Sequence, residues 1–417
     1  MKRSLSQFSL SLFTLICAYV AIPLWDVPLL GLSISAPLFF LVALEVFLRP
    51  QEAWFHRHRL WIGLAAAIWG GIFLAATLNG LLSGGTDFDR DGVVGLIRYA
   101  YWLVVFVITG YVASCPGMGG RLMVAMALGL TGTALLRWYE IATLGNIGAW
   151  TGTKFFSQNT YGWLFSTFSP LLLACFFQAR GLRRWGWGIA LLALWSVVAI
   201  NGSRGSWFGL LVGLLVFLIL LVIAYPRYLG RVISILMLVG VFLVLLLAAP
   251  EQVVGAVNQR FATLQKLDED KSYAIRLLMN QKGIRLFARS PLIGVGVYRW
   301  TKESVPLEIP RVLSYAPQSH FDVKSSHNSY LSFLAENGLA GSVPFVLLLG
   351  ILVIRGARAV VRLARRRALW GLGMYAGFIG MSLHLWALSG LTNTGTWLMY
   401  GLVAAVIETS QRLERGT

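Results

Sequence analysis

His327, Arg204 and Arg276 are the residues whose types and settings could do chemistry. His327 stands in Ser325-Ser-His327-Asn328-Ser-Tyr-Leu331-Ser-Phe-Leu334-Ala-Glu336-Asn-Gly338, where a polar stretch gives way to an apolar run. An imidazole with an ordinary pKa of about 6.5 is largely neutral at pH 7 and can take a proton from a hydroxyl. Arg204 lies in Asn201-Gly202-Ser203-Arg204-Gly205-Ser206, directly before another apolar run. Glycines admit close approach of backbone to a ligand, and N–H groups at a helix start join a guanidinium in a phosphate receptor. Arg276, in Ser272-Tyr-Ala-Ile-Arg276-Leu-Leu-Met-Asn, would be its counterpart on an amphipathic helix. Each has a blander reading as well: a surface histidine, a snorkelling arginine, an ordinary helix charge.

Arg98 and Arg137 extend the basic set, because both fall near the same ends of apolar runs as Arg204. A charge inside hydrocarbon costs about 2.5–3.5 kcal/mol on insertion scales, so such residues tend to face a cavity or a partner. Arg137 also has Glu140 three residues on, an ion pair on one helix face. Of the other histidines, His320 competes with His327 from a stretch without a motif. His56 and His58 belong to the opposite membrane face, and His384 lies within an apolar run.

The scaffold that must position these groups is a membrane one. The chain has 417 residues, of which 57% are hydrophobic and 12% charged, and its mean hydropathy is +0.71. Apolar runs of about 20 residues cross a bilayer of roughly 30 Å as helices. They are expected near 8–25, 27–48, 60–83, 93–114, 122–144, 160–178, 185–201, 206–224, 230–249, 339–354, 370–388 and 391–407. The expected fold is therefore all-α and polytopic, with about 12 transmembrane helices and one large periplasmic loop. The organisation is 1–249 for the first nine spans, 250–338 for the loop, and 339–417 for the last three spans with a cytoplasmic tail. Sixteen Trp suit the interfacial belts of such a protein.

A net charge of +18 would fit nucleic acid, but its distribution follows the positive-inside rule. Arg49, Arg57 and Arg59, then Arg180, Arg183 and Arg184, then Arg355, Arg358, Arg362, Arg365, Arg366 and Arg367 fall in alternate connections. The short connections between them hold Arg90, Lys154 and Arg204. Both termini and the basic segments are thus expected in the cytoplasm, with membrane lipids and not nucleic acid as partners. Cys17, Cys115 and Cys175 lie in or at the edges of spans, so no disulfide framework is expected.

The polar segment 250–338 is expected to hold helices over Glu251–Leu264 and Ser272–Ala288. A breaker, Ser290-Pro291-Leu-Ile-Gly294-Val-Gly296, ends the second, and an irregular Pro-containing stretch spans 301–324. Asp87-Phe-Asp89-Arg-Asp91-Gly92 resembles the first half of a calcium loop, yet its twelfth position is Arg98 where a bidentate Glu is needed. A solvated acidic turn is the stronger reading. No His/Cys cluster of zinc spacing and no nucleotide-binding Gly-rich loop occurs, so neither metal nor cofactor is expected.

The string His-Asn-x-x-Leu-x-x-x-x-Glu-x-Gly-x-x-Gly, from His327 to Gly341, resembles the O-antigen ligase and polymerase superfamily. Ser203-Arg204-Gly205 opening a span, and Arg276 followed by Pro291-x-x-Gly294-x-Gly296, fit the same pattern in the same order. The resemblance implies a metal-independent, inverting glycosyl transfer on the periplasmic face of the bacterial inner membrane. The donor would be a glycan on undecaprenyl pyrophosphate and the acceptor a hydroxyl, that of lipid A-core in a ligase. His327, Arg204 and Arg276 would be catalytic. Arg98, Arg137, Asn328, Glu336 and Ser203 would bind substrate. The lack of a long soluble extension favours the ligase, with a polymerase of the same superfamily as the alternative. A polytopic transporter or lipid-glycan flippase is the reading from another class. It would lead one to expect repeats between the two halves, and none is found.

Overall fold

The computed structural model describes residues 5–21, 28–29, 32–33, 35–48, 52–82, 89–144, 158–201, 203–247, 254–255, 271–307 and 326–416. Every apolar run expected to span overlaps a helix. These are α1 (Gln7–Val20), α2 (Ser35–Leu48), α3 (Glu52–Leu82), α4 (Arg90–Ala113), α5 (Met118–Leu144), α6 (Gln158–Gln178), α7 (Leu182–Asn201), α8 (Arg204–Ala224) and α9 (Leu229–Leu247). After the polar segment follow α12 (Ser329–Arg365), α13 (Trp370–His384) and α14 (Thr394–Glu414). Among the described residues, seven helices are long and apolar enough to cross a membrane, which makes this a multi-pass membrane protein. The run expected over 27–48 begins later than anticipated. Pro28–Leu29 pairs antiparallel with Leu32–Ser33, and α2 starts only at Ser35.

The polar segment contributes α10 (Lys271–Arg289) and the short α11 (Trp300–Ser304). The first agrees with the helix expected over Ser272–Ala288, and the breaker after it is a turn. Most of the expected helix over Glu251–Leu264 and of the irregular stretch 301–324, His320 included, lies outside the described residues.

The centre of the bundle is α6, whose apolar stretch is 94% buried. Trp163, Phe165, Phe168 and Phe177 point from it in every direction and are at most 1% exposed. A helix apolar all round belongs in an interior. Against it pack α8 and α13, and these two cross at glycines: a Cβ on Gly209 would lie 2.7 Å from the Gly380 carbonyl oxygen. Small residues allow such backbone contact where lipid offers no hydrophobic drive between helices. The crossing matters because α8 begins at Arg204 and α13 ends at His384.

The breaker after α10 is bolted onto α12. Gly338 interrupts α12 with φ 57 and ψ −162, so the helix breaks there before resuming towards Arg365. Into the break fits 291–296. Val295 N–H donates to the Ala335 carbonyl at 2.9 Å and Gly296 N–H to that of Glu336 at 3.1 Å. In return Leu339 and Ala340 N–H donate to Pro291 and Leu292 carbonyls, each at 2.9 Å. Gly294, at φ +69, and Gly338 each come so close to the other's segment that a Cβ on either would overlap backbone atoms. Asn79 of α3 completes the joint by donating to the Ile293 and Gly294 carbonyls, both at 3.1 Å.

Candidate functional site

His327 is not the first residue of its helix but the one before the cap. Asn328 caps α12, its side-chain oxygen accepting from Leu331 N–H at 3.1 Å, and its amide donates to Asn280 Oδ1 of α10 at 3.1 Å. Asn280 is one helical turn beyond Arg276, so this bond sets the Arg276 face of α10 beside the His327 turn. His327 itself has φ 50. A left-handed backbone is uncommon for a residue with a Cβ, and where it persists at a site the surroundings hold it there. Those surroundings come from the turn after α13. His327 N–H donates to Ser389 Oγ at 3.1 Å, Ser326 and Ser389 hydroxyls meet at 2.9 Å, and Gly390 N–H donates to Ser329 Oγ at 2.7 Å. The Ser329 hydroxyl donates to the Leu388 carbonyl.

Within this frame the half-buried His327 ring carries a buried Nδ1 with no hydrogen-bond partner among the described residues. Burial first, then the neighbouring Arg276 charge, hold its pKa below the usual 6.5. The ring is thus kept neutral at pH 7, as a proton acceptor must be.

The helix that Arg204 begins approaches from the other side. Arg204 is the first residue of α8, after Ser203, whose hydroxyl lies 3.5 Å from Asn159 Oδ1. The first turn of α8 lies against His384, since a Cβ on Gly205 would stand 2.8 Å from the ring's Cδ2 and 2.9 Å from Nε2. His384 is 2% exposed, and its Nδ1 is 3.1 Å from Ser166 Oγ. Ser166 donates its own proton to the Trp163 carbonyl at 3.0 Å, so it accepts from His384 Nδ1–H and leaves the Nε2 lone pair towards Gly205. Arg276 lies near His384 as well as near His327. Arg276 is therefore the centre of the constellation, with His327 on one side and the His384–Gly205 contact on the other. Sequence reasoning set His384 aside. A single histidine inside an apolar run carries no local signal of what it packs against.

The remaining residues singled out in the sequence have identifiable employment. Glu336, 8% exposed, accepts from Trp300 N–H at 2.9 Å, with the Tyr298 N–H as a second donor. It ties α12 to α11 within the bolted joint. Arg98 is exposed and donates to the Tyr298 hydroxyl at 3.2 Å, its guanidinium 5.4 Å from that ring's centroid. Arg137 takes the ion pair available to it in the sequence, with Glu140 at 2.9 Å, 7% exposed and 5.5 Å from the Tyr161 ring. Asp89 caps α4 through Gly92 N–H at 3.0 Å and pairs with Arg299 at 2.9 Å. The Gly92 N–H, followed by the Arg299 charge, holds its carboxyl below the usual range. Asp87 lies outside the described residues. Among the described residues no group of three or more His, Cys, Asp or Glu comes together as a metal site would require.

An apolar cavity of about 610 Å³ adjoins the constellation. Asn280 and Asn328 form its polar edge, and Tyr330, Phe333, Phe345 and Trp386 its walls between α12 and α13.

The family model described as O-Antigen ligase matches residues 188–346. That range starts within α7 and takes in Arg204, Arg276, the breaker, His327 and the Gly338 break. No curated protein matches the chain. The match does not divide ligase from polymerase; over residues 188–346 it supports a likeness of this multi-pass membrane protein to the O-antigen ligase superfamily.

Proposed function

We propose that the protein is a glycosyltransferase that moves a glycan from undecaprenyl pyrophosphate to a hydroxyl of lipid A-core. The reaction takes place on the periplasmic face of the bacterial inner membrane, with both termini in the cytoplasm. The observation that carries this reading is the position of Arg276, which lies near both His327 and His384 while His384 packs on the first turn of α8. A base and two guanidiniums then bracket one polar space beside a lipid-sized apolar cavity.

The acceptor hydroxyl attacks C1 of the donor sugar from the face opposite the pyrophosphate, and its proton passes to neutral His327. The C1–O bond breaks with its electron pair going to the pyrophosphate, whose growing charge Arg204 and Arg276 hold. A single displacement inverts C1 and needs no carboxylate pair of the kind glycosidases use. Asn328 positions His327 through the cap, and Ser203 opens the helix that presents Arg204. Arg98 and Glu336 act on substrate through the Tyr298–Trp300 segment that both of them hold. Arg137, held by Glu140 beside Tyr161, is the remaining substrate-binding arginine of this reading. The first isoprenoid units of the donor lie in the apolar cavity.

The test is transfer by the purified full-length protein in lipid nanodiscs, with chelator present and lipid-linked glycan as donor. Two acceptors are offered separately: lipid A-core and a second lipid-linked glycan. Product on lipid A-core alone establishes the ligase, and chain growth on the lipid-linked glycan alone makes it a polymerase. No product with either acceptor, or product only when metal is restored, contradicts the mechanism.

A further inference from the structure

The end of the bundle opposite the candidate site holds a second cavity, of about 470 Å³, into which Arg180, Arg227, Arg231 and Arg367 converge. It is one length of α8 away: the helix spans 21 residues from Arg204 to Ala224, or about 30 Å. That is a bilayer's hydrocarbon thickness. Among the described residues no carboxylate lines it, and Phe177 and Tyr228 supply apolar wall.

Basic residues are common on one face of any membrane protein. Three features separate this group from scattered topology signals. Arg231 is fixed, donating to the Phe177 carbonyl at 3.0 Å with its guanidinium 4.7 Å from the Tyr228 ring centroid. Tyr225 gathers two more, because Arg227 stands 4.0 Å over its ring and Arg367 bonds to its hydroxyl. Arg367 itself has φ 61. It ends α12 with Ala368 N–H bonded to the Leu363 carbonyl and its own N–H to that of Ala364. This is the helix ending in which glycine is usual, because glycine adopts positive φ without strain. Capping the carbonyl end of α6 accounts for Arg231 alone. Tyr225 holds Arg227 and Arg367, yet with Arg180 both line one cavity that has no carboxylate among its described lining residues, and Arg367 stands where a glycine would fit better.

We propose that this cavity binds a phosphate group, that of an anionic phospholipid headgroup in the leaflet facing away from the catalytic constellation. Guanidiniums grip phosphate oxygens through paired N–H donors, and basic pockets between helices at a membrane surface suit such headgroups. Phe177 and Tyr228 then border the start of the acyl chains.

The experiment uses the full-length protein reconstituted with phosphatidylglycerol, or with phosphatidylcholine alone, and released for native mass spectrometry. Wild type is compared with the double variant Arg180→Gln/Arg227→Gln, whose changed side chains are exposed. A second variant, Arg180→Lys/Arg227→Lys, keeps the charge. Wild type should retain phosphatidylglycerol and not phosphatidylcholine. The Gln pair should retain about tenfold less or lower still, and the Lys pair should fall between. Retention that excess inorganic phosphate leaves unchanged identifies the lipid as the source, and displacement by phosphate identifies a free phosphate site. Equal retention by wild type and the Gln pair, or equal retention of both lipids by wild type, overturns the proposal. Glycan transfer is read separately, so a failure here leaves the catalytic reading untouched.

Discussion

At the scale of single residues, the account depends on charge and protonation around Arg276. His327 acts in its neutral form, and burial with the Arg276 charge lowers its pKa. Activity should therefore hold through pH 6.5 and fall only as pH drops through the lowered value. Removing the charge raises that pKa. The residual transfer of Arg276→Gln should accordingly lose its acid limb at a higher pH than wild type does; superimposable pH–rate limbs would separate Arg276 from His327. Arg204→Lys keeps a positive charge but loses the planar fork. It should cost about 1.5–3 kcal/mol, or roughly ten- to a hundredfold in rate, read as kcat/KM on equally expressed protein. Full activity would take Arg204 off the pyrophosphate. His327 and Arg204 were singled out in the sequence by the small or polar residues around them at a helix edge, and Arg276 by its place on an amphipathic helix. His384 was not, and neither was the partner of Glu336. Trp300 is 36 residues away from Glu336, a separation that only folding closes.

Among the elements, the joint between the breaker and α12 fixes where His327 stands. The breaker ends α10, the helix carrying Arg276, and the break at Gly338 redirects the helix capped by Asn328. Both glycines adopt positive φ, and neither has room for a Cβ. Gly294→Ala should destabilise the protein by about 1–3 kcal/mol from backbone strain alone, with steric overlap added. A thermal-shift measurement in detergent should show a clear drop in melting temperature. Gly120→Ala, where a Cβ meets nothing within 4 Å, serves as the control. Equal melting of the two variants would remove the joint from the account. The elements themselves were readable from runs of apolar residues, and α10 and the breaker were placed closely. What periodicity could not supply was the pairing of the breaker with the Gly338 break, since two glycine-containing turns 44 positions apart look locally like two unrelated loops.

For the whole molecule, the account places the polar segment outside and both ends inside. A single cysteine at Lys302, whose side chain is 60% exposed, should react with an impermeant maleimide on intact spheroplasts. One at the exposed Arg415 should react only after lysis, and the reverse pattern would invert the topology. That topology is an expectation drawn from arginines gathered in alternate connections, whereas the second basic cavity has no local sequence signal, because its members come from separate parts of the chain. The central claim is that this membrane protein transfers a lipid-linked glycan with His327 as the base. The most direct measurement is transfer by purified His327→Ala and His320→Ala proteins in nanodiscs, with lipid-linked donor and chelator and with folding checked by thermal melt. The account predicts a loss of about 10²–10⁴-fold for His327→Ala and near-wild-type activity for His320→Ala. Loss of less than tenfold in the first, or abolition in the second, would contradict it.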